Sequence, residues 1–325
     1  MMKNQDGSSM ETAVSSVFLS QASGIFRKTR KNLPRIGNYC LLTFIAIVWA
    51  IPSLGLLVSS FRAADAVTES GWWTILQNPN GARLTLDNYL IVTGNGNSPL
   101  VQGQVAFDEK SIDVLQPFFN SIMVVIPATI FPILLAAIAA YGFSWMNFPG
   151  RKYLFFLVLA IQVVPLQVAL IPVLKDFNTI GINNTFLAVW IAHTGFALPL
   201  ATFLMFNSIS GIPKEYIEAA KMDGATHFSI FLNVVVPLSV HAFASFAILQ
   251  FLWVWNDLLV ALVFLGFNKS AIVMTQALVS LSGTYGNRWH LLTAGAFISM
   301  IIPLVIFFSL QRYFIRGLVS GGIKG

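Results

Sequence analysis

The sequence predicts an all-α membrane protein with six transmembrane helices. Apolar residues make up 56% of the chain and charged residues only 10%, whereas soluble proteins average about 45–50% and about 25%. Residues 41–60 carry no charge over twenty positions. At about 1.5 Å per helical residue, such a run crosses a hydrocarbon core of roughly 30 Å. Five further apolar runs lie at 117–144, 153–174, 184–208, 235–265 and 289–311.

Residues 1–37 precede the first predicted helix, which we place at 38–61. They are rich in Ser, Gln, Asn and Gly and then in basic residues, a composition typical of a partly disordered tail. No small-residue cleavage site precedes the first apolar run, which begins near residue 39. We therefore expect this helix to remain as an anchor and not to be removed as a signal peptide.

Residues 62–115 form the one long segment between predicted spans, with six acidic and three basic residues. Turn-forming sequences alternate there with short apolar pieces, which predicts a small ordered region. Because cytoplasmic loops retain Lys and Arg, we place this loop outside and both termini inside, which puts thirteen of the nineteen basic residues on the cytoplasmic side. Topology and anionic lipid then account for the net charge of +6, and no nucleic-acid partner is expected.

Residues 116–315 complete the predicted core with five helices, and residues 316–325 form a short cytoplasmic tail. Cys40 is the single cysteine, and the four histidines lack the spacing of metal ligands. The chain contains neither a GxxxxGK[ST] phosphate loop nor a nucleophile paired with a base. We therefore expect this chain to bind no metal or ATP by itself and to have no enzymatic activity.

A polar segment, EYIEAAKMDGATHFSIF at 215–231, interrupts the apolar pattern between the fourth and fifth spans. Pro213 suits the first position of a helix, which is predicted to run to about Met222. Gly224 can adopt the left-handed conformation that ends a helix, and Thr226 can cap a second one. The sequence thus predicts two short helices at 213–232, joined at an elbow on the cytoplasmic membrane surface.

The elbow has the residue types of a docking surface. Ala219 and Ala220 are small enough to let another backbone approach closely, and Glu218 and Asp223 add charge beside them. We interpret this combination as a knob that fits a cleft on a soluble partner. The alternative is a merely structural helix lying on lipid, for which more than the two lysines present would be expected.

The same segment resembles the EAA motif of ATP-binding-cassette (ABC) importer permeases. Its residues are Glu218-Ala219-Ala220, three more, Gly224, nine more, and Val234-Val235-Val236-Pro237. The family reads I-x-L-P at the end, so the valines at 234 and 236 are mild departures. Further stretches are similar to the MalG-type sugar permeases: Asn120-Ser121, Ala139-Ala140-Tyr141-Gly142-Phe143, Phe148-Pro149-Gly150-Arg151, Ile212-Pro213-Lys214-Glu215 and the tail from Arg316 to Gly325. The resemblance covers about residues 40–325.

This resemblance implies the MetI-like fold of type I importers in a bacterial inner membrane. It also implies three kinds of partner besides membrane lipid: a second, MalF-type permease, an ATPase dimer that binds ATP and Mg, and an extracytoplasmic solute-binding protein. The sequence Gly71-Trp72-Trp73-Thr74 looks most like the α-glucoside and glucosylglycerol branch, which suggests a sugar or a sugar-like osmolyte such as trehalose or sucrose. The C-terminal tail is flexible enough to reach the ATPase interface.

Within that resemblance, the five elbow residues have distinct expected roles. Glu218 would pair with a basic residue of the ATPase, and Asp223 would fix the turn. Ala219, Ala220 and Gly224 would permit close packing. ATP-driven closure of the ATPase dimer would then move the elbow as a lever and switch the spans between outward-facing and inward-facing states.

Polar residues inside the apolar runs are candidates for the solute path, because a polar group in lipid must be satisfied by protein, water or substrate. They are Asn120, Gln162, Gln167, Asn256 and Asp257. Trp253 and Trp255 could stack on a sugar ring. Asp257 is the strongest candidate, as a charge expected near a helix centre. The alternative for each residue is hydrogen bonding between helices.

Two other classes of protein are the alternatives. An ATP-independent secondary transporter would also have six spans, but it commonly carries inverted repeats and several membrane-buried carboxylates, and here Asp257 alone qualifies. A membrane-embedded enzyme would need a nucleophile with a base or a metal cluster. The sequence favours the ABC permease over both.

Overall fold

The computed structural model describes residues 37–79, 81, 83–94, 113–266, 268, 270–282 and 288–322, with the backbone alone for 312–322. The predicted tail up to residue 36, the middle of the long loop and residues 323–325 lie outside the described residues. The chain divides into two compact units at Val58 and Ser59. The first unit contains α1 (Gly37–Ser60) up to Val58, and this helix is long and apolar enough to span a membrane.

Short helices follow in the segment for which the sequence predicted an ordered region. They are α2 (Ala64–Glu69), a 3₁₀ helix (Trp72–Leu76) and α3 (Asp87–Val92). The buried Arg62 side chain donates hydrogen bonds to the carbonyls of Ala66 and Ser70 and so holds the C-terminal turn of α2. Since α3 also buries Ile91 and Val92 in one cluster with residues of the later helices Met274–Leu281 and Trp289–Gly322, this segment is tied to one end of the bundle.

The bundle is built on α4 (Leu115–Trp145), α7 (Phe186–Ile209), α10 (Val236–Trp255) and α13 (Trp289–Gly322). Small residues line the contact between α4 and α7, where Ala136, Ala140, Ala197 and Ala201 are all buried. Small side chains let membrane helices approach closely. The resulting van der Waals packing replaces the hydrophobic driving force, which is absent between helices in lipid. The result is a rigid centre for the other elements.

The third predicted span, at 153–174, is not one helix. It consists of α5 (Arg151–Ile161) and α6 (Leu166–Thr179), bent by 99° at a short break. Pro165 lies at this break, where it has no N–H to donate and restricts the residue before it. Five helices are long and apolar enough to span a membrane, and the bent pair brings the number to six among the described residues.

The fifth predicted span, at 235–265, is also corrected. The helix α10 ends at Trp255, and α11 (Leu259–Leu265) is separate from it. Asp257 therefore lies between two helices and not near a helix centre. A further short helix, α12 (Met274–Leu281), precedes α13. The last helix continues to Gly322, so residues 316–322 of the predicted tail are helical, and the last three residues lie outside the described residues.

Candidate coupling surface and solute path

The elbow begins with α8 (Lys214–Met222). The sequence predicted Pro213 at the first position of this helix. In the structure it lies one position earlier, just before the helix. Glu215 lies in the first turn and Lys221 in the last, so both charges complement the helix dipole. These local features are sufficient to start and support a nine-residue helix.

Gly224 ends α8 in the predicted left-handed conformation, with φ of 78°. The N–H of Gly224 donates to the Lys221 carbonyl and the N–H of Ala225 to the Ala220 carbonyl, each at 3.0 Å. This pair of bonds is the Schellman arrangement, which satisfies the last free carbonyls of a helix. The Asp223 carboxylate forms no hydrogen bond with another described residue, so the backbone and not this side chain holds the turn.

The second short helix, α9 (His227–Ile230), is capped as predicted, since Thr226 Oγ1 accepts from the Ser229 N–H at 3.3 Å. It is not an independent helix, however. A π-helical turn at Phe231–Val235 joins it directly to α10, and the continuous helix runs from His227 to Trp255. The second half of the elbow is therefore the end of a helix that is long enough to span the membrane.

Ile217 anchors α8 to the bundle. Its side chain is 1% exposed and belongs to a buried cluster with Met205 and Ile209 of α7, Ile230 of α9 and Val235. Each fully buried Ile side chain contributes roughly 1.5–3 kcal/mol relative to an exposed one. A displacement of α8 is therefore resisted by the packed ends of α7 and α10.

A hydrogen bond also ties the elbow to α4. The Tyr141 hydroxyl and His227 Nδ1 lie 2.8 Å apart, at the start of α9. Nearby, the Trp145 indole donates to the Ile209 carbonyl at 3.2 Å. The two contacts join α4 to both α7 and α9, so the elbow and three long helices form one connected unit.

The outer face of the elbow combines the predicted residues with large apolar ones. Glu218, Ala219, Asp223 and Gly224 are exposed, and Ala220 is partly buried against the bundle. Neither carboxylate forms an ion pair within the described part of the chain. Three exposed side chains that sequence reasoning missed are Tyr216, Met222 and Phe228, the last two 84% and 72% exposed. Large apolar residues inside an otherwise polar segment were the signal that could have identified them.

The structure places Asn120 in a structural role. Its side-chain amide donates to the carbonyls of Ser270 and Ile272 at 3.0 and 2.9 Å, and so holds the link before α12 against α4. One turn earlier, Gln116 makes a longer bond of 3.4 Å to Ser270. Ser121 continues this connection by accepting from the Met274 N–H at 2.7 Å.

Asp257 joins four elements at the break after α10. Its Oδ2 accepts from the Ala261 N–H at 3.1 Å and caps α11, while its carbonyl accepts from the Thr275 hydroxyl at 2.7 Å. His193 Nε2 of α7 lies 3.8 Å from the same Oδ2. Only 11% of the Asp257 side chain is exposed, and its carboxylate contacts other residues of the protein.

The other candidates for the solute path lie at two places. Gln162 and Gln167 flank the break in the third span, where both are exposed and neither amide forms a hydrogen bond with a described residue. Trp253 and Asn256 are exposed near the end of α10, and Asn256 donates to the Leu252 carbonyl of its own helix at 2.8 Å. Trp255 is buried beside Phe251, with their rings stacked.

Asn120→Leu is expected to lower the free energy of unfolding by about 1–3 kcal/mol, because two hydrogen bonds of about 0.5–1.5 kcal/mol each are lost. The half-saturating solute concentration should stay unchanged. Thermal unfolding of the purified complex and solute titration measure the two effects, and Gln116→Leu is the matched control with a smaller loss. A raised half-saturating concentration at unchanged stability would return Asn120 to the solute path.

Comparison with known proteins places these features in context. Residues 132–320, which include the elbow, match the family described as "Binding-protein-dependent transport system inner membrane component". The chain is 49% identical to the osmoprotective compounds uptake permease protein GgtD of Synechocystis, over 86% of this chain and 89% of that protein. It is 37% identical to the alpha-glucoside transport system permease protein AglG of Rhizobium meliloti, over 86% and 95%.

The fold also matches a solved structure. A bacterial ABC transporter involved in the import of the acidic polysaccharide alginate contains a chain that superposes with a TM-score of 0.65. The match covers 86% of this chain and 95% of the other, at 22% sequence identity. At that sequence identity, the match shows a shared fold alone.

Proposed function

We propose that this chain forms half of a translocation pore with a second permease. The proposal follows from its family, because the chain belongs to the binding-protein-dependent transport inner membrane components and is a permease subunit of an ABC importer. Two ATPase subunits power the complex, and each permease elbow docks into one of them. ATP and Mg bind to the ATPase. The anchored elbow is the single observation that carries this proposal, since it joins an exposed docking face to the membrane helices.

The elbow transmits movement because it is held on its inner side and open on its outer side. Ile217 and the Tyr141–His227 hydrogen bond fix it to the bundle. Met222 and Phe228 supply apolar anchors for a cleft, and Glu218 supplies a charge for a basic residue of the ATPase. Ala219 and Gly224 leave room for the partner backbone, which supports their predicted role.

The elbow end is placed in the cytoplasm, with both termini on that side of the inner membrane. The distribution of basic residues supports this orientation, since Arg151, Lys152, Lys214 and Lys221 all lie at the elbow end of their helices. The segment with α2 and α3 then faces the solute-binding protein outside. The C-terminal end of α13 points toward the ATPase side.

The transported solute is proposed to be a sugar or a sugar-like osmolyte. The names of the two relatives, one for osmoprotective compounds and one for α-glucosides, support this class. Hydroxyl-rich solutes need amide hydrogen bonds and aromatic faces, which Gln162, Gln167, Asn256 and Trp253 can offer. Asn120 and Asp257 are bound within the protein and are left out of the proposed path.

Solute-stimulated ATPase activity of the reconstituted complex tests this function. The complex contains both permeases, the ATPase dimer and the binding protein, and the panel contains α-glucosides, trehalose, sucrose, glucosylglycerol and unrelated solutes. We expect stimulation by at least one sugar or glucosylglycerol, and none in a matched sample without the binding protein. Stimulation by unrelated solutes alone would contradict the solute class.

A further inference from the structure

The break between α5 and α6 is an unusual feature for a membrane-spanning segment. The two helices meet at 99°, and residues 162–165 between them are all exposed. The side chain of Val163 is 82% exposed. The break therefore forms an open surface on the described part of the chain.

The break lies about half a membrane thickness of helix away from the elbow end. The helix α5 begins at Arg151, directly after the turn at the elbow end, and has eleven residues. Its length is about 16 Å at about 1.5 Å per residue, which is half of a hydrocarbon core of about 30 Å. The 14-residue α6 follows after the bend and leads to the start of α7, at the end opposite the elbow.

Polar groups are concentrated at this depth. The carbonyls of Gln162, Val163 and Val164 accept no hydrogen bond from a described residue, because the chain changes direction before the N–H groups of the next turn can reach them. The amides of Gln162 and Gln167 are likewise unpaired within the described part of the chain. Unpaired backbone at this depth is tolerated only where it is buried in protein or lines a water-filled cavity.

We infer that the break at 162–167 lines the water-filled solute path, where its open carbonyls and the two glutamine amides form hydrogen bonds with water and with the hydroxyl groups of the solute. This inference rests on the proposed function. A dry contact with the second permease would require a matching partner for each of these five groups. Water and a hydroxylated solute satisfy all of them, and broken helices at mid-depth commonly line solute sites in transporters.

Cysteine labelling tests this inference in the assembled complex. In a Cys40→Ser background, which removes the single native cysteine, Val163→Cys is compared with Val48→Cys. Val48 is an exposed valine near the middle of α1, so the two variants differ in location and not in the residue replaced. Complexes in lipid nanodiscs are treated with a charged, membrane-impermeant methanethiosulfonate reagent, which reaches both faces, and modification is followed by mass spectrometry.

We expect Val163→Cys to react at least about tenfold faster than Val48→Cys. Apolar surroundings raise the pKa of the thiol at position 48, and each unit of that increase lowers the fraction of reactive thiolate about tenfold. An excess of the stimulating solute should slow the reaction at Val163→Cys. Complexes with solute-stimulated ATPase activity but a rate ratio below about tenfold would overturn the inference and leave the proposed function intact. Without stimulation in the native complex, the proposed function fails and the inference with it.

Discussion

Phe228→Ala combined with Met222→Ala is expected to weaken binding of the permease pair to the ATPase dimer by about thirtyfold or more. Aromatic and Met side chains are enriched at the core of protein interfaces, and truncating a side chain that acts as a binding hot spot costs about 2 kcal/mol or more. Both side chains project from the elbow into solvent, so their removal leaves no cavity in the bundle. The dissociation constant of the ATPase from permease pairs held in nanodiscs measures the effect.

The control for this prediction removes an equally exposed apolar side chain elsewhere. Leu86, 63% exposed beside α3, lies in the segment tied to the opposite end of the bundle, and Leu86→Ala should leave the dissociation constant unchanged. If the elbow variant binds the ATPase as tightly as the native chain does, the apolar face is not part of the contact. The charged residue Glu218 would then have to carry the docking.

Ile217→Ala is expected to reduce solute-stimulated ATPase activity close to its basal level. Truncating a buried Ile to Ala costs about 2–5 kcal/mol, because a cavity remains among the packed side chains. Here the cavity would open between α8 and the ends of α7 and α10. The elbow would no longer be packed firmly against the bundle, although its outer face would remain chemically intact. Movement of the ATPase would therefore not be transmitted to the membrane helices.

Ile217→Val is the graded control, with an expected cost of about 0.5–1.5 kcal/mol. Stimulated and basal ATPase rates of both variants are measured in the same reconstituted complex, together with thermal unfolding of the permease pair. The prediction requires that stimulation falls in the order native, Val, Ala while the complex remains assembled. Full stimulation in the Ala variant would show that anchoring of α8 at this residue is not needed for coupling.

The elbow could be predicted in detail because its signals are local. Gly224 and Thr226 act through backbone conformation and a neighbouring N–H, and both behave as the sequence indicated. The anchoring by Ile217 was not predictable, because it depends on side chains from α7 and from the start of α10. Exposure of Met222 and Phe228 depends on the same packing, which decides which face of the elbow is turned outward.

The membrane spans show where hydropathy is insufficient. A continuous apolar run has the same composition whether it forms one helix or two, so hydropathy alone showed neither the break at Pro165 nor the end of α10 at Trp255. Polar residues in such runs are equally ambiguous. The Asn120 amide donates to the backbone of a distant segment and the Asp257 carboxylate accepts from the Ala261 N–H, whereas the Gln162 and Gln167 amides form no bond with a described residue. Only the three-dimensional arrangement separates the two groups.

The position of Asp257 also bears on the choice between transporter classes. An ion-coupled secondary transporter needs a carboxylate that is free to exchange its ion. The Asp257 carboxylate instead caps α11 and lies beside His193. The structural role of this residue counts against ion coupling through its carboxylate.

Uptake of a radiolabelled stimulating solute into proteoliposomes tests the central claim most directly. The binding protein is supplied outside, and the vesicles contain ATP with Mg or a non-hydrolysable ATP analogue. The account predicts uptake with ATP alone, abolished by the analogue and strongly reduced by Ile217→Ala. Uptake that persists without ATP hydrolysis, driven by an ion gradient, would contradict the account and identify the chain as a secondary transporter.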